Sequence, residues 1–316
     1  MNLRYVSGMT SDVPQSLRIC PVLPNDRSAG FDLLLSYMPP EERSKQKQLF
    51  QSTLVTNNLT AEGLLGAYRG EKLVGAVFSQ IQPGKTAQVW LPRLVENEEK
   101  NTAVMLLRHC GEWLDQKQIC LAQILLEMAT EEDDIILREG GFDYLTDLLY
   151  LVSLEDDFPH APLSTQLQYE TYKSQNHVRL AGIVDSTYQG TLDCPKLNKV
   201  RRLEDVLEGY RGTGVITPEH WLIVRCNSRD VGCLLLADHP QHDNIELVYM
   251  GIIPAVRGRG YGMEIARYAQ WIARQSGRPR LVLAVDASNR PAVKMYATVG
   301  FQAWDERRVY YRIVPR

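Results

Sequence analysis

The chain is 316 residues long, and at roughly 150 residues per domain this length favours two domains. Hydrophobic residues make up 44% of the chain and charged residues 23%, which are ordinary values for a globular protein and exclude a wholly disordered or collagen-like one. The net charge is −3, whereas broad nucleic-acid or membrane surfaces are usually basic. We therefore expect neither a nucleic acid nor a membrane as a partner.

The sequence shows neither a targeting segment nor a metal-binding motif. No apolar run approaches the roughly 18 residues of a membrane-spanning helix, and the amino terminus lacks the apolar core of a secretory signal. The six cysteines form no C-x-x-C pair and have no histidine cluster beside them, so neither a zinc site nor a disulfide framework is indicated. We expect a cytoplasmic protein with reduced thiols and no metal; the sequence does not set its oligomeric state.

The first half of the chain reads as β-α-β-β-β-α-β-α-β. Apolar alternation marks the strands, and apolar residues at helical spacing mark the helices. Pro39-Pro40 breaks the first helix, and Gly140-Gly141 ends the third. The predicted strands are 17–22, 64–68, 73–80, 87–95, 121–128 and 144–154, and the predicted helices are 27–54, 102–116 and 131–139.

The second half repeats this order. A helix is expected just before Tyr188, and Gly277 ends the amphipathic helix that begins at Gly262. The predicted strands are 222–226, 231–237, 244–253, 281–285 and 309–314, and the predicted helices are 262–275 and 291–299.

An acidic stretch with two prolines, 155–162, separates the halves and is typical of a linker. Gly141-Phe142 and Gly300-Phe301 lie 159 residues apart, and Val74-Gly75 and Val231-Gly232 lie 157 apart. The matching element order favours a duplicated α/β fold in which each copy is a twisted mixed sheet flanked by helices. The predicted organisation is a terminal arm at 1–16, a domain at 17–154, a linker at 155–165 and a second domain at 166–316.

The segment Arg257–Gly262 (RGRGYG) carries the strongest chemical signal. It follows the apolar strand ELVYMGII and opens a helix. Its alternating glycines let a ligand approach the main chain, and consecutive amides at the positive end of a helix bind anions such as phosphate. The spacing fits neither the G-x-G-x-x-G dinucleotide motif nor a Walker loop. A plain glycine-rich turn is the alternative.

These residues resemble the GNAT superfamily of N-acyltransferases. Arg257-x-x-Gly260-x-Gly262 is similar to the family's R/Q-x-x-G-x-G/A pyrophosphate loop, and Ile252-Ile253-Pro254 resembles its V-x-P step into that loop. Asn289-x-x-Ala292-x-x-x-Tyr296-x-x-x-Gly300-Phe301 resembles its N-x-x-A-x-x-x-Y-x-x-x-G-F signature. The resemblance covers about residues 168–314. The first half resembles the fold without the motifs, as in a tandem type with a degenerate amino-terminal half.

The resemblance implies acetyl-CoA as donor and cosubstrate. It implies that the pantetheine arm lies along the strand residues Met250, Gly251 and Ile252, with Gly251 marking a bulge. Asn289 would bond the arm, although it also suits a plain helix cap. The pyrophosphate would bind the main-chain amides from Gly258 to Gly262, with Arg257 or Arg259 alongside; the loop positions are Arg257, Gly258, Arg259, Gly260, Tyr261 and Gly262.

The resemblance also implies the catalytic groups. Tyr296 would protonate the leaving thiolate; the alternative is a tyrosine packed on the sheet. Glu246 lies eleven residues before Arg257, a spacing that resembles the catalytic glutamate of the histone-acetylating branch. A base is needed because a lysine-type amine is almost wholly protonated at neutral pH. The base is Glu246, Asp286 or a water chain, and Glu246 is equally well a solvated carboxylate. An amide near Ile252 would polarise the thioester carbonyl.

Tyr188 and Asp193 are weak candidates for acceptor binding, because this region forms a wall of the acceptor pocket in the family; an ordinary polar loop is the alternative.

The 159-residue offset places Glu98 of the first half opposite Arg257 of the second. A carboxylate there repels phosphate, so we expect no acyl-CoA in the first half.

The resemblance therefore implies an N-acetyltransferase that moves an acetyl group directly to a primary amine of a small molecule or peptide in a ternary complex. One alternative is a sensor that binds acyl-CoA without catalysis. Another is a nucleotide-phosphate enzyme that uses the glycine loop. The acceptor and the acyl length stay open.

Overall fold

The computed structural model describes residues 16–45, 61–161 and 166–314. The predicted terminal arm falls outside the described residues except for Ser16, as do 46–54 of the first predicted helix and 162–165 of the predicted linker. The chain divides into two units, one formed by residues 1–79 and 90–113 and the other by residues 80–89 and 114–316. The predicted domain boundaries stay a prediction.

The first unit contains a small antiparallel sheet with helices beside it. Its core is built from apolar side chains such as Phe31, Leu64 and Phe78, and the rings of Phe31 and Phe78 meet edge to face at 5.6 Å. The strands are β1 (Leu17–Pro21), β2 (Leu64–Arg69), β3 (Lys72–Gln82) and the short β5 (Arg93–Leu94), and the helices are α1 (Arg27–Leu34), α2 (40–45) and α3 (Asn101–Gln116).

The second unit contains a mixed sheet of nine strands. Its strands are β4 (Thr86–Val89), β6 (Leu121–Leu126), β7 (Asp143–Leu154), β8 (Leu167–Thr171), β9 (Trp221–Cys226), β10 (Arg229–His239), β11 (Asn244–Ile252), β12 (Arg280–Asp286) and β13 (Gln302–Ile313). They are ordered β4-β6-β13-β7-β12-β11-β10-β9-β8. The pairs β4–β6 and β11–β12 are parallel, and the other pairs are antiparallel.

Helices cover both faces of this sheet. Adjacent residues of a strand point to opposite faces, and Leu234 and Leu235 of β10 belong to two different apolar cores. The core around Leu234 includes Ile265 of the seventh helix, and the core around Leu235 includes Leu180 and Leu207 of the fifth and sixth. The helices of this unit are α4 (Glu131–Glu139), α5 (His177–Tyr188), α6 (Leu203–Arg211), α7 (Tyr261–Gln275) and α8 (Arg290–Thr298).

The final strands of the two sequence halves are exchanged. β7, from the first half, lies between β12 and β13, and β13, from the second half, lies between β6 and β7. Buried polar contacts fix this register: the Gln270 amide donates to Ser153 Oγ at 2.8 Å, and Thr146 Oγ1 donates to Asp286 Oδ1 at 2.7 Å. The sheet that carries the second-half site is therefore completed by a strand from the first half.

The repeated element order and the mixed α/β class are confirmed. The helices α4 and α8 begin 159 residues apart, at Glu131 and Arg290, and the strands β7 and β13 are offset by the same 159 residues. The hairpin β2–β3 is offset from β9–β10 by 157 residues.

Several predicted elements differ from the structure. The predicted strand 87–95 is divided into β4 and β5, with Pro92, which lacks a backbone N–H, between them. β13 begins at Gln302 and not at residue 309, because its polar first half is held by pairing with β7 and needs no buried face. The strand β8 and the helix α6 are present in the structure but are not among the predicted elements.

Across the described segments, the helices are all too short or too polar to cross a bilayer.

Candidate active site

The parallel strands β11 and β12 separate after two residue pairs. They pair at Ile245 with Leu281 and at Glu246 with Val282, and the rest of β11 has no partner in β12. On its other edge, β11 carries a bulge: Leu247 and Tyr249 oppose consecutive residues of β10, so Val248 is the extra residue. A bulge bends and twists its strand, which accounts for the divergence. The bulge was expected at Gly251 and lies three residues earlier.

Gly251 has a different role, which is to let a helix approach the strand. A Cβ atom at this position would lie 2.6 Å from Thr187 Oγ1 and 2.7 Å from Thr187 Cβ, both in α5. Cβ atoms essentially never come this close to another heavy atom, so the close packing of α5 on β11 requires glycine. Met250 and Ile252, on either side, pack against the core beneath α7 and α8.

The glycine loop forms an open row of backbone donors at the start of α7. Gly258 and Gly260 have φ angles of +77° and +84°, and a Cβ atom at either position would meet nothing within 4 Å. In the described part of the chain, no acceptor bonds the amides from Gly258 to Gly262. Tyr261 is the first helical residue, so these amides share the positive end of the α7 dipole. The loop therefore fits an anionic group such as a pyrophosphate.

The two arginines of this loop have different surroundings. Arg257 donates to main-chain carbonyls at the end of α5, with Nη2 2.7 Å from Thr187 O and Nη1 2.9 Å from Gln189 O, and its Nε donates to Ile252 O at 3.0 Å. Arg257 thus ties the loop to α5. Contact of Arg257 or Arg259 with phosphate stays a prediction. The Arg259 side chain interacts with the Tyr261 hydroxyl. That hydroxyl donates a hydrogen bond to Cys226 Sγ at 3.4 Å.

Tyr296 of α8 is buried, with 6% of its surface exposed. Its ring meets Phe301 edge to face at 5.3 Å. Burial, and secondarily the negative charge of Asp193, raises the pKa of Tyr296 above its usual value of 10. The phenol is therefore protonated at neutral pH, as a general acid must be.

Asn289 is the N-cap of α8. Its side chain accepts a hydrogen bond from the Ala292 amide at 3.4 Å, which confirms the capping interpretation. Contact between Asn289 and a cofactor arm stays a prediction.

Asp286 forms the centre of a buried polar network at the end of β12. Only 1% of its surface is exposed. It accepts hydrogen bonds from Thr146 Oγ1 at 2.7 Å, from Ser288 Oγ at 2.6 Å and from the Cys194 amide at 3.0 Å. Burial alone would raise its pKa, but hydrogen bonds from Ser288 and Thr146 hold the pKa below its usual value. Its oxygens are engaged in structure, which disfavours Asp286 as the base.

Asp193 and Tyr188 also make internal contacts. Asp193 Oδ1 accepts from the Asp286 amide at 3.0 Å, and burial raises the pKa of Asp193. The Tyr188 hydroxyl lies 2.6 Å from that of Tyr210, and burial raises the pKa of Tyr188 to about 12. These contacts anchor the loop after α5. Acceptor binding by either residue stays a prediction.

Glu246 faces a cavity of about 400 Å³ on the sheet face opposite the α7 core. Its Oε2 atom lies 2.8 Å from His239 Nε2, and its side chain is one-third exposed. Sequence reasoning missed His239, because it lies at the end of β10 and no motif links it to Glu246. The polar and aromatic residues that line the cavity include Tyr150, His239, Glu246, Trp304, Asp305 and Arg307.

The equivalent loop of the first half contains a carboxylate. Glu98 precedes α3 and accepts hydrogen bonds from Arg69 Nη2 at 2.8 Å and from Thr102 Oγ1 at 2.7 Å. The contact with Arg69 lowers the pKa of Glu98, so this carboxylate is ionised. The start of α3 therefore already holds a carboxylate, which is paired with the Arg69 guanidinium.

The fold is that of the GCN5-related N-acetyltransferases. The chain superimposes on a GCN5-related N-acetyltransferase from Sphaerobacter thermophilus with a TM-score of 0.61 and 13% identity, over 95% of this chain and 96% of that one. It also superimposes on a GCN5-related glucosamine N-acetyltransferase region of a fungal multi-domain GH3 β-N-acetylglucosaminidase, with a TM-score of 0.63 and 14% identity, over 95% of this chain and 38% of that one.

Residues 184–301 match the model of the Acetyltransferase (GNAT) family, so this segment of the chain is similar to that family. The chain is 33% identical over 103 residues to a mycothiol acetyltransferase from Thermobifida fusca, which is 33% of this chain and 30% of the relative. It is 35% identical over 96 residues to the uncharacterized N-acetyltransferase YycN from Bacillus subtilis, which is 29% of this chain and 62% of YycN. The match thus spans less than a third of the mycothiol acetyltransferase.

Proposed function

We propose that the chain transfers an acetyl group from acetyl-CoA to a primary amine within a ternary complex. The row of donor amides from Gly258 to Gly262, directly after the separated strands β11 and β12, is the observation that carries this proposal. The family match over 184–301 supports it.

In this proposal, the pyrophosphate of acetyl-CoA binds the amides of the loop, and the Arg259 guanidinium adds a charged donor. The edge of β11 that β12 leaves unpaired, from Met250 to Ile252, holds the pantetheine arm by main-chain hydrogen bonds. Arg257 acts indirectly, because its bonds to α5 hold the loop in place. The open space at Gly258 and Gly260 leaves room for the phosphates.

Glu246 acts as the general base. It is the last residue of β11 that pairs with β12, so its carboxylate lies where the two strands part. The carboxylate takes one proton from the substrate ammonium and leaves a neutral amine that attacks the thioester carbonyl carbon. His239, 2.8 Å away, orients the carboxylate and offers the proton a next acceptor towards solvent.

Tyr296 acts as the general acid. As the C–N bond forms and the C–S bond breaks, the phenol donates its proton to the departing thiolate. The second proton of the amine nitrogen restores the phenol through solvent. The balance is one ammonium and one thioester consumed, and one amide, one thiol and one proton formed.

We propose a small-molecule or peptide amine as the acceptor and the cytoplasm as the location. The matched relatives include a mycothiol acetyltransferase and an uncharacterized N-acetyltransferase. We further propose that the first half binds no acyl-CoA, because Glu98 already places a carboxylate at the start of α3.

Calorimetry combined with a thiol-release assay tests the proposal. We expect acetyl-CoA to bind the full chain and a panel of primary amines to release CoA thiol. Glu246→Gln keeps the size of the side chain but removes the base, so kcat should fall by about 10²–10⁴-fold while acetyl-CoA affinity is kept. Tight binding without turnover on any amine would favour the sensor, and preference for ATP or NAD would favour a nucleotide enzyme.

A further inference from the structure

Two aromatic side chains, Tyr150 and Trp304, line one side of the cavity beside Glu246. We propose that it binds the acceptor, and that this acceptor is a small primary amine joined by a short linker to a flat aromatic group. The inference rests on the proposed function, since it places the reacting amine at Glu246. It adds the chemical class of the substrate.

The first observation is a bulge at Trp304. Ala303 pairs with Leu151 and Asp305 pairs with Tyr150, so Trp304 is an extra residue in β13. Neighbouring residues of a regular strand point to opposite faces, yet Asp305 pairs directly with Tyr150 and the Trp304 ring contacts the Tyr150 ring, so both lie on the cavity face. The bulge therefore turns the indole towards the cavity, and bulges next to sites commonly re-aim a side chain in this way.

The second observation is a pair of aromatic rings from the exchanged strands. Tyr150 of β7 and Trp304 of β13 meet edge to face, with ring centroids 6.0 Å apart and an interplanar angle of 67°. Trp304 is 60% exposed, which is unusual for so large an apolar ring. An edge-to-face pair leaves one ring face open for a flat ligand to stack upon.

The third observation is the charge of the cavity. Its lining carries the carboxylates of Glu246 and Asp305 and the guanidinium of Arg307. Arg307 Nε lies 2.7 Å from Asp305 Oδ2, and Arg307 Nη1 lies 2.6 Å from Glu127 Oε1, so carboxylates surround this guanidinium. Within the described residues Glu246 is bonded to His239 through Oε2 alone, which leaves Oε1 to attract a cation; His242 is the other histidine on the lining.

The spacing of the strands sets the length of the ligand. Glu246 and Trp304 lie on β11 and β13, with β12 and β7 between them. Three strand intervals give about 14 Å between the two backbones, which leaves room for one ring and a short linker between the indole and the carboxylate. The volume of about 400 Å³ lies in the range of small-molecule sites.

Binding of two probe amines tests the inference without relying on turnover. The full chain is saturated with CoA, which cannot transfer an acetyl group, and is titrated with 2-phenylethylamine or with butylamine. We expect 2-phenylethylamine to bind about tenfold more tightly than butylamine, because stacking on Trp304 adds to the ammonium contact. Trp304→Ala should remove this preference, and Trp304→Phe should keep most of it.

The controls separate this inference from the proposed function. Since the Trp304 ring is largely exposed, its replacement should leave CoA affinity unchanged. Equal binding of the two amines, or a preference that survives in Trp304→Ala, would overturn the aromatic acceptor pocket. Failure of the wild-type chain to acetylate 2-phenylethylamine or butylamine, with the binding preference intact, would instead count against the transferase function.

Discussion

Burial determines how the Tyr296 phenol can act. Because its pKa is raised, the phenol keeps its proton as the pH rises through 10, where an exposed tyrosine would lose it. A general acid in this environment stays competent across the physiological range. The same burial also weakens the phenol as a proton donor, so it must be held at the leaving group.

We predict that Tyr296→Phe lowers kcat by about a hundredfold while acetyl-CoA affinity is kept. The ratio of wild-type to Tyr296→Phe rate should stay constant up to at least about pH 10, because the raised pKa keeps the acid protonated there. Thiol release followed across pH in both proteins checks this. Unchanged turnover in Tyr296→Phe would remove Tyr296 as the acid.

We predict that replacing Asp286 destabilises the fold much more than replacing Glu246 does. Asp286 is buried with its oxygens bonded, so Asp286→Ala should lower the free energy of unfolding by about 2–4 kcal/mol. Glu246 is partly exposed, so Glu246→Gln should lower it by less than about 1 kcal/mol. Denaturant unfolding measures both. Comparable losses of stability would contradict the assignment of Asp286 to structure and Glu246 to chemistry.

The sequence predicted the secondary-structure positions of individual residues where a short motif carried them. The positions of Gly258, Gly260 and Tyr296 follow from local spacing, and the structure places the glycines at a helix start and Tyr296 at the buried position of α8. Side-chain partners distant in the chain could not be predicted. Arg257 meets carbonyls about 70 residues earlier, and the partner of Glu246 is fixed by the register of β10 on β11.

At the scale of elements, the approach of α5 to β11 depends on Gly251. Gly251→Ala would place a methyl group within 2.9 Å of three atoms of Thr187. We expect it to destabilise the protein by about 1–3 kcal/mol, as overpacking does, and to weaken acetyl-CoA binding by shifting β11. Unfolding and calorimetry measure the two effects.

Gly262→Ala is the matched control for that substitution. Gly262 lies inside α7, and a Cβ atom there would have its nearest contact at 3.6 Å, an ordinary distance. Because alanine favours helices, Gly262→Ala should be neutral or stabilising by up to about 1 kcal/mol. Equal stability of the two variants would show that Thr187 does not restrict Gly251.

Elements with an apolar period were predicted to within a few residues, because their burial leaves a clear pattern. Glu131–Glu139 is one such helix, with Thr130 as its cap. The first half of β13 was missed, since Gln302–Arg308 is mostly polar and exposed and is held by the neighbouring strand. Pairing between distant strands leaves little trace in either sequence, which is why the exchange of β7 and β13 was not predicted.

At the scale of the whole molecule, the exchanged strands give the first half a role in the second-half site. β7 supplies Thr146 to the Asp286 network and Tyr150 to the cavity. A degenerate half can in this way lose its own ligand and still be required for the activity of the other. The two loops at the starts of α3 and α7 accordingly differ, with a carboxylate paired to Arg69 in the first and open amides in the second.

Titration of the full chain with acetyl-CoA, compared between Gly258→Asp and Gly258→Asn, tests this account most directly. Both side chains tolerate the positive φ of Gly258 and have equal size, but only aspartate adds a negative charge beside the phosphates. We predict one site per chain, at least about tenfold weaker binding in Gly258→Asp, and near-normal binding in Gly258→Asn. Two sites per chain, or equal affinity in the two variants, would contradict it.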